Sequence, residues 1–533
     1  MANVTSQQGQ RDYSEYPGAI RWIILVAVMM GTILEVLDIS IVNVAIPKMM
    51  GNLGATVDQI SWVSTGYIIA NVIVLPLTGW LSSYFGRRKY LAGSIILFTI
   101  ASIFCGTSNS LNELVFFRIL QGIGGAALIS TAQATLIEVF PPQQLGMVQG
   151  IYGIGVVVAP TIGPTVGGWI TDTYSWPWIF FINIPIGIIA ATLTLLFLKD
   201  SRYQKGPAGK IDLLGILFLA IGLGCMQTIL EKGNREDWFE SPLICWLTLF
   251  SVVGLIAFIL WELHCDEPAV NLRVLKNRSL AAGTIFGVVL GFGLYGGIFV
   301  LPIFLQNFRQ YTAEQTGLVF LPGGLATMFV TPFVGRLVSK VPPRNIAAVG
   351  AVTFAIAMFM MHSVTSDTGP EHLYLPLILR GAALGCIFIP LTLSSLTGLQ
   401  GRDLAYGSGL FNLMRQLGGS AGIAFLSTFV DHRTSFHRVD LVEHISLYNQ
   451  ATILRINALT QSFQAKGFSA EVAHKQAIAV MDRIVQGQAS IMAYDDALLI
   501  IGALFIAALP LLLLFKKGIP SHFRKGAGGG IRR

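Results

Sequence analysis

The chain has 533 residues, of which 12% are charged and 53% apolar, with a mean hydropathy of +0.66. Ordinary soluble domains carry roughly 25% charged residues, so a soluble enzyme or a disordered segment is excluded and an integral membrane protein of spanning helices remains. The net charge of +7 requires no nucleic acid partner, because basic loops belong on the cytoplasmic face of an anionic bilayer.

Residues 1–20 are polar and read as a cytoplasmic tail. The apolar run after Arg21 exceeds a signal peptide's core and lacks a small-residue cleavage site, so it is expected to be a retained first span. Runs long enough to cross a bilayer, about 20 residues, begin near residues 20, 59, 89, 113, 148, 177, 212, 241, 280, 312, 344, 372, 406 and 493. These fourteen spans put both termini on one side. Loops on that side carry Arg87, Arg88, Lys89, Lys199, Arg202, Lys205, Lys210, Arg273, Lys276, Arg278, Lys340 and Arg344, followed by a basic tail over 516–533. Short loops opposite offer Lys48, Lys232, Arg235 and Arg309. The positive-inside bias therefore predicts cytoplasmic termini.

Ionisable groups inside lipid are few, and each costs about 2.5–3.5 kcal/mol on insertion scales unless paired or hydrated. Helix one carries Glu35 and Asp38, three residues apart on one face; helix four carries Arg118. Counted from the outer helix ends, Asp38 and Arg118 differ in depth by roughly 6 Å, so a contact is allowed. Two readings fit. In one, Asp38 carries a proton, Arg118 favours its ionised form and Glu35 opposes it as a like charge; coupled carboxylates titrate as a pair, which leaves open which of them holds the proton. In the other, a buried ion pair only locks helix one to helix four. Helices nine to thirteen contain Arg380 and Arg415 but no clear mid-membrane acid, so proton chemistry is expected in the first bundle. Arg380 and Arg415 could bind anionic groups or pair with backbone carbonyls.

Helix five repeats small residues at a four-residue beat, Gly155, Ala159, Gly163 and Gly167, followed by Gly168, with Pro160 and Pro164 in the same stretch. Such a stripe lets a neighbour approach closely, and the prolines bend or loosen the helix. A duplication at a spacing near 250–260 residues relates Gly79 to Gly335, Arg118 to Arg380, and Gly167-Gly168 to Gly418-Gly419. It predicts two six-helix bundles, 21–200 and 279–515, with helices seven and eight inserted as a linker pair over 201–265. Parallel halves about a midplane site suit alternating access.

With these motifs in view, the chain resembles the major facilitator superfamily. The loop from Gly79 to Lys89, including Gly86, Arg87 and Arg88, resembles its second-to-third loop motif. Arg118 to Gly122 resembles its fourth-helix arginine motif, and the helix-five stripe its antiporter motif. Leu37 to Pro47 and Trp178 to Gly187 are similar to the fourteen-helix drug/proton antiporter branch and, within it, to EmrB-type exporters. Ser83 stands where the loop motif often has an acid, and Gln143 to Gly146 offer no arginine where one is common.

The resemblance implies an all-α major facilitator fold with 14 transmembrane helices. It implies a proton-driven antiporter that exports lipophilic drugs or toxic compounds across the bacterial inner membrane, without a cofactor beyond the proton motive force. A periplasmic membrane fusion adaptor, and through it an outer-membrane channel, is the implied partner set. A proton-coupled symporter or an exporter of one specific metabolite is the alternative. Trp62, Tyr67, Asn71, Phe292, Tyr295, Phe299, Gln306, Phe411, Asn412 and Arg415 lie on helices that line the cavity in relatives and are the candidate substrate contacts. Neither a nucleophile with its base nor a phosphate loop is found, which speaks against an enzyme or an ATP-driven pump.

The segment 431–490 exceeds what joins two spans and is expected to form a periplasmic loop with helical stretches over 448–465 and 470–488, docking an adaptor or shielding the exit. Its histidines, His432, His437, His444 and His474, lack metal-site spacing. Asp495 and Asp496 are expected to be solvated at the outer interface. The five cysteines show no metal or redox spacing and read as packing thiols.

Overall fold

The computed structural model describes residues 16–200 and 212–515, apart from 308, 364, 366, 367, 397 and 447. Most of the expected N-terminal tail, much of the loop before helix seven and the basic tail at 516–533 lie outside the described residues. Regular structure among the described residues is helical throughout.

The long helices are α1 (Gly18–Leu53), α2 (Asp58–Phe85), α3 (Arg87–Thr107), α4 (Leu111–Val139), α5 (Pro142–Thr173), α6 (Trp178–Phe197), α7 (Leu213–Lys232) and α8 (Pro242–His264). There follow α9 (Arg278–Asn307), α10 (Ala313–Leu337), α11 (Pro343–Met360), α12 (Pro370–Leu396), α13 (Gly401–Glu443), α14 (Gln450–Ala465) and α15 (Ala470–Ala507). Among the described residues twelve helices are long and apolar enough to cross a bilayer, and α5, bent by 47° between Gln143–Pro160 and Ile162–Thr173, makes a thirteenth if its two arms are one span. Pro160 lies at the end of the first arm, where a missing donor and a ring against the preceding turn force a kink. Helix α13 falls short of that apolar threshold because Asn412, Arg415 and Gln416 interrupt it. Asn412, Arg415 and the glycines Gly418, Gly419 and Gly422 are buried against protein, not lipid.

In the first half, α1 packs on α5, α6 and α4, and α3 on α4 and α6. In the second, α9 packs on α13, α12 and α15, and α12 on α10 and α11. The small-residue stripe of α5 faces α1, as close approach demands: Gly155 meets Met29 and Ile33, Gly163 meets Ser40, and Gly167 meets Ile41. A second glycine face of α5, unread in the sequence, meets the other half. Gly146 lies against the backbone of Gly335, and Gly150 against Thr331. Near the far end of both helices Gly317 of α10 abuts Thr165, so α5 and α10 touch along most of their length.

Helices α2 and α13 meet on the membrane face where α1 begins: Gly79 packs on Tyr406, and Gly409 on Leu75. Farther across, α7 occupies their seam. Its Gly224 faces Ile69 and Ile73 of α2, while Gln227 donates to Ser420 of α13 at 2.9 Å. Beyond α7, Asn234 and Trp238 donate to Ser427 and Thr428 at 3.1 and 2.9 Å. The inserted pair is thus a wedge tied to both halves.

The expected loop at 431–490 is mostly helix. α13 runs on to Glu443, and the stretch expected over 470–488 is continuous with the last span as α15, because its backbone bonds persist while polar faces meet water. Asp496 is not simply solvated, as expected, but accepts from Arg433 Nε at 2.6 Å and faces His437 Nε2 at 2.8 Å. Arg438 pairs with Asp482 at 2.7 Å. These contacts clamp the projecting part of α13 to α15.

Candidate functional site

Asp38 and Arg118 meet as a fully buried ion pair within the first half, both 1% exposed or less. Two side-chain amides complete the carboxylate's shell: Gln121 donates to Asp38 Oδ1 at 2.9 Å and Asn183 at 3.2 Å. The guanidinium is also shared. Arg118 donates to Gln121 Oε1 at 2.7 Å and to the Val63 carbonyl at 3.0 Å, and lies over the Tyr67 ring at 4.3 Å. Ser102 anchors both amides, accepting from Gln121 at 2.7 Å and from Asn183 at 3.3 Å. Helices α1, α2, α3, α4 and α6 therefore converge on one carboxylate, which offsets the desolvation of a buried charge.

Glu35, one turn earlier on α1, belongs to a separate network. Asn71 donates to its Oε1 at 3.1 Å and the Ile129 amide to its Oε2 at 3.2 Å. No cation lies at hydrogen-bonding distance from it among the described residues, and Ile129 adjoins Ser130, whose carbonyl accepts from Ser408 of the second half at 2.8 Å. Arg415 is 3% exposed, its Nε and one terminal nitrogen have no hydrogen-bond partner among the described residues, and it stacks on Phe388 at 5.7 Å. Asp38 thus faces into its own bundle, and Glu35 toward the interface between halves.

The candidate substrate contacts separate into groups. Tyr67 and Asn71 are fully buried and belong to the carboxylate networks. Trp62 is partly exposed, carries Lys232 over its ring at 4.2 Å and lines an open cavity of about 340 Å³ with Gln59, Asn112 and Phe116. Phe292 and Tyr295 pack on the glycines of α13. Phe411 is fully buried in the core, where Gly287 of α9 faces it, whereas Phe299 is half-buried and Gln306 exposed. Asn412 donates to Gln133 of α4 at 2.8 Å, and Ser408 to the Ser130 carbonyl at 2.8 Å, so this stretch seals the two halves together.

The loop motif is also built without its usual acid. Arg87 forms a two-pronged pair with Glu138 at the end of α4, and the Arg88 amide donates to Asp200 at 3.0 Å. Gly86, with φ of +82°, lies against that same Asp200 carboxylate. Sequence reasoning missed Gln121, Ser102, Asn183, Glu138 and Asp200. Gln121 and Asn183 lie inside the motifs Arg118 to Gly122 and Trp178 to Gly187, but neutral amides and loop-edge acids carry no depth signal of their own.

Two repeated helical halves, the first holding a buried charge network, define a multi-pass membrane transporter. The chain belongs to the Major Facilitator Superfamily, whose profile matches residues 28–423. It is 36% identical to the multidrug export protein EmrB of Escherichia coli over 516 residues, 96% of this chain and 98% of that protein. It is 34% identical to the fatty acid resistance protein FarB of Neisseria gonorrhoeae over 97% of this chain and all of that one. Among solved structures it resembles the human organic anion transporter MFSD10, with a TM-score of 0.57 at 13% identity, covering 93% of this chain and 100% of that one. It also resembles the proton:xylose symporter XylE, with a TM-score of 0.56 at 14% identity, covering 93% and 96%. At such identities the solved structures speak to fold alone.

Proposed function

We propose that this chain is a proton-driven antiporter that exports lipophilic compounds across the bacterial inner membrane, with fourteen spans and both termini cytoplasmic. The observation that carries the reading is the buried Asp38–Arg118 pair, enclosed by Gln121 and Asn183. Protonation of Asp38 would cancel the attraction that holds α1 to α4 and free Arg118 to re-pair, changing the packing of α1 against the α5 stripe. Glu35, bound to the Ile129 amide beside the Ser130–Ser408 contact, is placed to pass that change to the other half. One proton moving through 100 mV is worth about 2.3 kcal/mol, enough for roughly fiftyfold accumulation.

The full-length likeness to EmrB supports a broad range of lipophilic substrates, and the Trp62 cavity, open and partly aromatic, suits them. The projecting helices at the ends of α13 and α15, with α14, expose Leu454, Phe468 and Ile478. On this reading they dock the adaptor of a tripartite system. Accumulation of a fluorescent lipophilic cation in everted membrane vesicles tests the energy source. It should require respiration and stop on addition of a protonophore while ATP is held constant; accumulation that persists after the gradient collapses would overturn proton coupling.

A further inference from the structure

The inserted pair touches both halves of the molecule, but the two contacts differ in kind. Among the described residues, every hydrogen bond from α7, α8 or their joining loop to a helix of either half ends on α13. Gln227 donates to Ser420 at 2.9 Å, Asn234 to Ser427 at 3.1 Å and to Asp431 at 2.9 Å, and Trp238 Nε1 to Thr428 at 2.9 Å. Ser420, Ser427 and Asp431 share one face of α13 by helical spacing, so the bonds form a ladder along it. Toward the first half there are only softer contacts. A Cβ on Gly224 would meet the methyl groups of Ile69 and Ile73 at 3.8 and 3.5 Å, and the Lys232 ammonium rests 4.2 Å from the Trp62 ring centroid.

Lipid tails are as apolar as isoleucine, so methyl contacts between helices are exchanged for acyl chains at little cost and set no register. A buried amide such as Gln227, fully shielded from solvent, has no water to replace a lost partner. The ladder to α13 therefore resists movement that the face toward α2 permits.

The pair is itself one body and is also joined to the second half through the chain. Gly222 of α7 packs on Leu255 and Gly254 of α8, and Ser251 donates to the Gly222 carbonyl at 3.0 Å. The connector 265–277 folds back on the end of α8, where the Val270 amide donates to Glu262 at 3.2 Å and Arg273 to the Leu263 carbonyl at 2.9 Å. Its short helical turn, Leu272–Lys276, leads directly into α9.

We propose that α7 and α8 are carried by the second half during transport, with α7 sliding over Ile69, Ile73 and Trp62 of α2 as the halves rock. The pair is then a moving wall beside the Trp62 cavity, and Lys232 is drawn across the Trp62 ring in each cycle. This role rests on alternating access of the two halves and adds to it by assigning both extra helices to one moving body.

Reversible bridging of cysteine pairs by a short bis-thiosulfonate reagent tests the assignment, in a chain whose five native cysteines are replaced by alanine. Uptake of a fluorescent lipophilic cation by everted membrane vesicles is compared before bridging, after it and after reduction. Bridging Asn234→Cys to Ser427→Cys should leave export within about twofold of the same variant unbridged. Bridging Gly224→Cys to Ile69→Cys should lower it about tenfold or more, with recovery on reduction. Gly224→Cys with Ile73→Cys repeats the second test one turn along α2. Loss of export with the α13 bridge, or full export with both α2 bridges in place, overturns the assignment. Export by the unbridged variants reports on transport itself, so a failure of the transport reading is distinguished from a failure of this one.

Discussion

Replacing Arg118 by leucine is expected to abolish export and to destabilise the first half by about 3–5 kcal/mol, the cost of leaving one member of a buried pair uncompensated. The penalty belongs to the stranded carboxylate: Asp38 would keep its amide donors, Gln121 and Asn183, but lose its cation. Adding Asp38→Asn to Arg118→Leu should therefore recover most of the lost stability without restoring transport. Thermal unfolding of the parent, both single variants and the double variant gives the coupling energy directly. Equal and additive losses would mean that the pair contributes nothing specific.

A second large effect is expected at Gly146. Its α-carbon lies so close to the Gly335 carbonyl that even a methyl group would collide with backbone, which cannot swing aside as a side chain can. Gly146→Ala should therefore prevent α5 and α10 from closing on the face where α1 begins, and lower export at least tenfold in alternating access. Gly150→Ala, whose added Cβ would lie 3.0 Å from the Thr331 carbonyl, should cost less. Export rates of the two variants at matched membrane levels, compared with the parent, check the order. Parental export by Gly146→Ala would show that this contact is not part of the cycle.

These two sites also show what the sequence can convey. Asp38 and Arg118 stand out because charges in lipid are rare and their depths can be counted from helix ends. The α5 stripe is legible because four-residue spacing places Gly155, Gly163 and Gly167 on one face whatever they pack against. That their neighbour is α1, and that Gly146 and Gly150 form a second face toward α10, depends on tertiary packing that no local pattern encodes. Gln121, Ser102 and Asn183 escaped for a related reason: neutral polar residues occur throughout membrane helices, and only their convergence on Asp38 distinguishes them.

At 431–490 the helical stretches expected over 448–465 and 470–488 are present as α14 and the start of α15, but their continuity with the spans was not legible: Arg433, His437, Arg438, Asp482 and Asp496 make contacts between two helices that leave the bilayer without unwinding. Water tolerates an exposed helix as readily as a loop, so polarity marks the end of a span and not the end of a helix. Likewise, the substitution of Ser83 in the loop motif hid the compensation by Glu138 and Asp200, which are distant in sequence and adjacent only when α3, α4 and the end of α6 are packed.

The central claim is that Asp38 carries the coupled proton, and substrate-induced proton movement in proteoliposomes tests it most directly. The parent chain, Asp38→Asn and Glu35→Gln should be compared, with binding of a lipophilic cation measured in each. The account predicts that Asp38→Asn binds the cation but moves no protons. Proton movement by Asp38→Asn at the parental rate would contradict it and reduce the Asp38–Arg118 pair to a structural lock.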